Sequence, residues 1–270
     1  MMRGKGWLLS AVVGCLSLVA VASAQGYPGG PLVAVTDTGP FCASCHSSAD
    51  REQLRGLPAA FIENQFFETK HYKAILEGRG PYKDMSPRDR ERLLEDVKLT
   101  DANARVTLTA PGTVSRGQTV QVTVTTRGGA GPVVGVMLVD TNHRLQSRPV
   151  TADGWMIVGA PVVIGPDGQE QTKWVNSRIP ELKKNLNFVL VFGIKSDLAN
   201  KVFPETKVTY TLRAPSEPGR YTMAAAFIHG TEKASPLGVV QAAAGPMPRG
   251  GSNGPSSRIR FSVVRTITVQ

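Results

Sequence analysis

Cysteine is scarce in this chain of 270 residues, with three in all, and that excludes a small fold stapled by disulfides. Aromatic residues make up 6% and charged residues 19%, yet the hydrophobic share of 41% is far above that of a disordered chain. Acidic residues are also few, 21 against 31 Lys and Arg, for a formal charge of +10. No G-x-S-x-G, H-E-x-x-H, Walker loop or Rossmann fingerprint occurs, so no enzymatic constellation is visible. Past residue 24 no run approaches the roughly 18 apolar residues that a membrane helix needs. What is plentiful is Gly (28) and Pro (19), which points to a turn-rich, β-rich globular protein. The length suits one large domain or two modest ones.

At the N-terminus Arg3 and Lys5 precede an apolar run from Trp7 to Ala22, followed by Ala22-Ser23-Ala24. A positive region, an apolar region and a small-residue cleavage site predict a signal peptide over 1–24 and export to the periplasm or bacterial cell envelope. Val12-Val13-Gly14-Cys15 also resembles a lipoprotein box, but apolar residues from Leu16 to Ala22 follow Cys15 where a polar tether is usual. Lipidation at Cys15 and an uncleaved anchor are therefore the lesser alternatives.

Cleavage removes Cys15 and leaves Cys42 and Cys45. Residues 42–46 read Cys-Ala-Ser-Cys-His, the C-x-x-C-H haem attachment pattern. Two thiols at this spacing add across the two vinyl groups of one haem, and His46 then lies beneath the iron as its proximal ligand. A thioredoxin-like pair belongs between a strand and a helix, whereas Gly39-Pro40 here signals a loop. A zinc site needs a second ligand pair, and no further cysteine exists.

On this motif and the segment up to about Lys98, the chain resembles a c-type cytochrome. That resemblance implies one covalent haem c held by Cys42, Cys45 and His46. Spacings of three and four among Phe67, His71, Ala74 and Ile75 predict a helix over 59–77 that ends at Gly78. A second helix is predicted from Ser86 as N-cap, with Pro87 first and Leu93, Leu94 and Val97 on its apolar face. The unit is shorter than a typical free-standing cytochrome of this kind, so the rest of the chain is expected to cover part of the haem. For the sixth iron ligand, His71 is the first candidate. Met85 is its rival: the segment before it looks like the methionine loop of such cytochromes but lacks the following proline, and Met85 also sits where a structural staple residue belongs. His143, His229 or an open site are the remaining options.

Beyond Thr100 the pattern alternates. Residues 105–109, 119–126, 133–139, 155–158, 188–194, 207–212, 220–228 and 259–269 read as strands, divided by Pro, Gly, Asn and Asp clusters. About eight strands without intervening helices predict a β-sandwich over 101–270. Residues 241–257 read as a long loop. Trp155 and Trp174 are expected in the core and His143 on the surface, while His229 ends a strand and has the option of facing the helical unit. The stretch from Tyr210 to Phe227 is similar to Reeler-like and other fibronectin-like sandwiches, some bacterial members of which carry C-x-x-C-H upstream. That is a likeness of fold alone.

The fold class expected is thus α+β multidomain, a small helical haem-binding unit (25–100) followed by an antiparallel β-sandwich (101–270). Residues 25–100 hold 10 basic against 11 acidic side chains and residues 101–270 hold 19 against 10, so the basic excess belongs to the sandwich. A single-sign field steers encounter with an acidic redox protein or an anionic envelope surface, or else merely keeps the surface soluble. Nucleic acid is not expected as a partner. The function expected is electron transfer between envelope redox partners, with the sandwich as docking module. The alternatives are a haem-bearing surface interaction or sensor protein, or the haem subunit of a periplasmic oxidoreductase.

Overall fold

The computed structural model describes residues 55–63, 66, 69, 72–129, 131–142, 147–178, 185–230, 238–242, 245–249 and 257–270. It shows an α+β fold: short helices first, then two packed sheets.

In the helical unit, α1 (Ala59–Glu63) and α2 (Lys73–Leu76) stand where one helix over 59–77 is expected. The helix is interrupted, because Phe66 lies in a bend. The stop at Gly78 holds: its φ of +67° is open to glycine, and Arg79 N–H bonds to Ala74 O at 2.9 Å while Gly78 N–H bonds to Ile75 O at 3.1 Å. A 3₁₀ turn at Gly80–Tyr82 leads to α3 (Pro87–Asn103). The Ser86 hydroxyl accepts from Asp89 N–H at 3.2 Å and donates to the Asp89 carboxylate at 2.7 Å, with Pro87 at the first helical position. The buried stripe of α3 is Leu93, Leu94, Val97, Thr100 and Asp101, a helical period whose last turn becomes polar. With Ile75 and Tyr82, the first three form a small core against which Met85 packs half-buried.

Asn103 ends α3 and Arg105 opens the sandwich. One sheet orders β1 (Arg105–Thr109), β3 (Thr119–Arg127), β8 (Glu205–Arg213) and β5 (Met156–Ile157), with β6 (Val162–Ile164) also on β8. In β3 and β8 the residues Val122, Val124, Val208, Tyr210 and Leu212 are buried while Gln121, Lys207 and Arg213 are exposed. That alternation is the mark of a sheet with one wet face. The second sheet orders β2 (Thr113–Val114), β13 (Arg265–Val269), β9 (Gly219–His229), β4 (Val133–Val139) and β7 (Val189–Phe192), with β12 (Arg258–Phe261) also on β9. Every pairing is antiparallel except β13 with β2, which is parallel. All of β4 and residues 223–229 of β9 are buried, so this sheet is covered on both faces.

The final strand expected over 259–269 is two. Phe261 pairs with Ala226 and Arg265 with Met223, so three residues face two across a bulge. Ser262 repairs the ladder there: Ala225 N–H donates to its hydroxyl at 2.9 Å and Ser262 N–H donates to Ala225 O at 2.8 Å. The loop expected over 241–257 is corrected in part as well, since β10 (Gly238–Ala242) and β11 (Gly245–Arg249) pair as a hairpin. Gly245, Pro246 and Pro248 lie within β11 itself, so the Gly-Pro density there does not mark an absence of strands.

Trp155 and Trp174 are core residues, as expected, at 2% and 1% exposure. Trp174 lies in α4 (Lys173–Asn176), donates its indole N–H to Phe188 O at 3.0 Å and meets the Phe188 ring edge-on. Beside it, the Asn187 side chain stands in for a strand residue, accepting from Leu138 N–H and donating to Leu138 O, both at 2.7 Å.

Candidate functional site

Cys42, Cys45, His46, His71 and His143 lie outside the described residues, as does the segment read as a signal peptide. Met85 and His229 lie inside them. Met85 serves the small helical core, half-buried at the position before the Ser86 cap. His229 does face the helical unit: its Nε2 is 3.4 Å from Asp101 Oδ1 in the last turn of α3.

The local sequence explains how that cluster arises. Along a strand, alternate residues share a face. Phe227 and His229 are two apart on β9, Arg258 and Arg260 two apart on β12, and the register sets Arg258 opposite His229 and Arg260 opposite Phe227. One face of the second sheet therefore carries all four, and the helical unit covers it. Arg260 clasps Asp101 through Nε at 3.1 Å and Nη2 at 2.9 Å, a bidentate pairing that lysine has no geometry for. The His229 ring stacks on Phe227 with centroids 5.1 Å apart. The Arg258 guanidinium lies 5.3 Å from the Tyr72 ring centroid, and Lys98 Nζ approaches the same ring at 5.3 Å. Close behind, Gly129 adopts a φ of +85°, and a Cβ there would come within 2.8 Å of Val134 and 3.3 Å of His229.

Charge in this cluster centres on Asp101. Among the described residues Arg260 and His229 flank its carboxylate, Arg258 is buried nearby, and Lys98 is exposed at the edge of the cluster. Burial opposes ionisation of Asp101, but His229 and Arg260 outweigh it and hold the carboxyl at about 2. Burial depresses the pKa of His229; Asp101 opposes this, and Arg260 and Arg258 reinforce it. Burial likewise lowers Arg258, against the pull of Tyr72, Asp101 and Tyr82. The Tyr82 phenol is pushed up to about 12 by burial, with Arg258 acting in the opposite direction. Its hydroxyl, on a side chain 4% exposed, has no hydrogen-bond partner among the described residues, and neither does His229 Nδ1. A buried polar atom left so costs about 1–3 kcal/mol.

The arginines and tyrosines of this cluster escape single-sequence reasoning because their partners are remote in the chain. The signal that could have found them is the Arg-Ile-Arg alternation at 258–260, which puts two cations on one side of a core-flanking strand. Among the described residues no group of three or more His, Cys, Asp or Glu side chains is placed to hold a metal ion, and no helix is long and apolar enough to cross a membrane.

No family model matches this chain, and no curated protein matches it. Among solved structures it is similar to the C-terminal domain of the Streptococcus pyogenes antigen I/II-family protein AspA, at 9% identity and a TM-score of 0.26. The match covers 62% of this chain and 52% of that one, so the chain spans about half the length of that structure. A likeness so loose carries no argument, and the sandwich rests on its own strand pairings.

Proposed function

We propose that this chain is an exported monohaem cytochrome c that carries electrons between redox partners of the cell envelope, with the β-sandwich as its docking module. The observation that carries this reading is Cys42-Ala-Ser-Cys-His46 behind an export signal. Cys42 and Cys45 anchor the haem, His46 is the proximal ligand and His71 the distal one, with Met85 the alternative. When bound, haem supplies a reversible one-electron couple, which needs both axial positions filled for outer-sphere transfer.

The described residues fit such a group. Leu57, Phe61 and Leu76 of the helical unit are exposed apolar side chains of the kind that a porphyrin face covers. The orphaned Tyr82 hydroxyl, on a buried side chain of the helical unit, suits a polar edge of such a group. Met85 already has a structural task in the small helical core, which favours His71. The basic sandwich, 19 Lys and Arg against 10 Asp and Glu over 101–270, favours an acidic partner or anionic envelope surface.

The test is to produce the full chain in a host that matures c-type cytochromes. Haem is expected to stay with the denatured polypeptide and to be lost in Cys42→Ser/Cys45→Ser. Low-temperature electron paramagnetic resonance should show a low-spin ferric centre that becomes high-spin in His71→Ala and not in Met85→Ala. A haem-free product overturns the reading. A high-spin wild type that binds cyanide without displacing a strong ligand turns it toward an oxidoreductase subunit.

A further inference from the structure

We propose that the wet face of the first sheet is a docking surface for an acidic protein. That the partner is a redox protein rests on the haem reading above; that it is a protein and acidic rests on this face.

The strand register lays the face out. Arg105, Thr107 and Thr109 of β1 stand beside Arg127, Thr125 and Thr123 of β3, and these stand beside Glu205, Lys207 and Thr209 of β8. Met156 of β5 lies next to Arg213, and Val162 of β6 next to Thr209. The Thr123 and Thr209 hydroxyls meet at 3.0 Å, while the intervening Val122, Val124, Val208 and Tyr210 are buried in the core.

Charge on this face is one-sided. Four exposed cations, Arg105, Arg127, Lys207 and Arg213, share it with one carboxylate, Glu205, whose ion pair is with Lys207 at 3.7 Å. Arg105 and Arg127 are direct cross-strand partners, a placement that costs stability for like charges. Arg105 donates to Ala102 O and Ala104 O at the end of α3, and Arg127 lies over the Phe203 ring at 5.9 Å. Both charges are thus held in place without a carboxylate, and an anionic surface laid over them relieves their repulsion.

The rest of the face narrows the partner. It presents no exposed aromatic ring on which a base would stack. Met156 and Val162, 48% and 44% exposed, give one edge an apolar contact, and methionine and arginine are enriched where proteins meet. The threonines are stiff at χ1 and lose little freedom when covered. With β3 and β8 nine residues long, a width of four strands gives a face of about 20 by 30 Å, or ~600 Å². That is less than the ~800 Å² per partner of a stable complex and suits a transient encounter.

The test compares binding of the full chain to poly-L-glutamate, to phosphatidylglycerol vesicles and to polygalacturonate, each at low and at physiological salt. Poly-L-glutamate is expected to bind the tightest. Arg127→Glu and Arg213→Glu are each expected to weaken that binding about tenfold at low salt and less as salt rises. Arg220→Glu makes the same charge change on an exposed position of the second sheet and should leave the affinity near that of the wild type. Equal loss in all three variants, or no loss in any, overturns the inference, as does absence of poly-L-glutamate binding. Tighter binding of vesicles or polygalacturonate overturns it in favour of that occupant. A haem-free wild type that binds poly-L-glutamate through this face overturns the haem reading alone.

Discussion

Arg260 grips Asp101 through both carboxylate oxygens, at 3.1 and 2.9 Å, and so ties β12 to the last turn of α3 across 159 residues of chain. Removing one partner of a buried pair leaves the other charge stranded, at a cost of about 3–5 kcal/mol. Here the Arg260 side chain is 36% exposed, and solvent softens the loss. Asp101→Asn is expected to destabilise the protein by about 2–3 kcal/mol in urea unfolding. A change below about 0.5 kcal/mol would show that the clasp contributes no more than an exposed pair.

Acid should weaken the fold in two stages. The His229 pKa is depressed in the folded state, so below the ordinary value of 6.5 the unfolded chain binds more protons and stability falls as the pH drops. Its charged neighbours, Asp101 of α3 and Arg258 and Arg260 of β12, travel with it. Asp101 follows: folded at about 2 against 3.8 when free, it contributes stability that is full above about pH 5 and lost as the pH falls toward 2. Urea midpoints measured from pH 8 to pH 3 should therefore decline from near pH 6.5 downward, and His229→Gln should flatten the upper part alone.

Met85 packs half-buried against the small core of Ile75, Tyr82, Leu93, Leu94 and Val97. Met85→Leu conserves volume and is expected to cost less than about 1.5 kcal/mol. With His71 as distal ligand, the low-spin spectrum of the loaded protein should not change. Loss of a ferric sulfur-to-iron band in this variant would reassign the ligand to Met85.

Asn187 holds both Leu138 N–H and Leu138 O at 2.7 Å inside the core. Asn187→Ala strands these two backbone groups, so a loss of about 3 kcal/mol is expected, read as a lower melting temperature. Because Asn187 is remote in function from the helical unit, haem content and spectrum should be those of the wild type.

Much of the scaffold is legible in the sequence because local chemistry fixes it. Ser86-Pro87 caps and starts α3, Gly78 stops α2, and the alternation in β3 and β8 marks a half-wet sheet. The failures share a different cause. The break near Phe66, the extra residue within 262–264 and the hairpin β10–β11 depend on tertiary pairing that a periodic pattern averages over. For the site, Cys42-Ala-Ser-Cys-His46 is readable because its spacing is its chemistry. The cluster of Tyr82, Asp101, His229, Arg258 and Arg260 is not, since no residue among them has its meaning until the register of β12 on β9 is known.

That register also sets a timetable. A ribosome makes α3 well before the strand that clasps it, since Asp101 and Arg260 stand 159 positions apart. A chain that has not yet reached residue 258 lacks both arginines and keeps, of the described partners of Asp101 in the sandwich, His229 alone. The arginine clasp between the two units thus waits on one four-residue strand that is made after β9, the strand it pairs with.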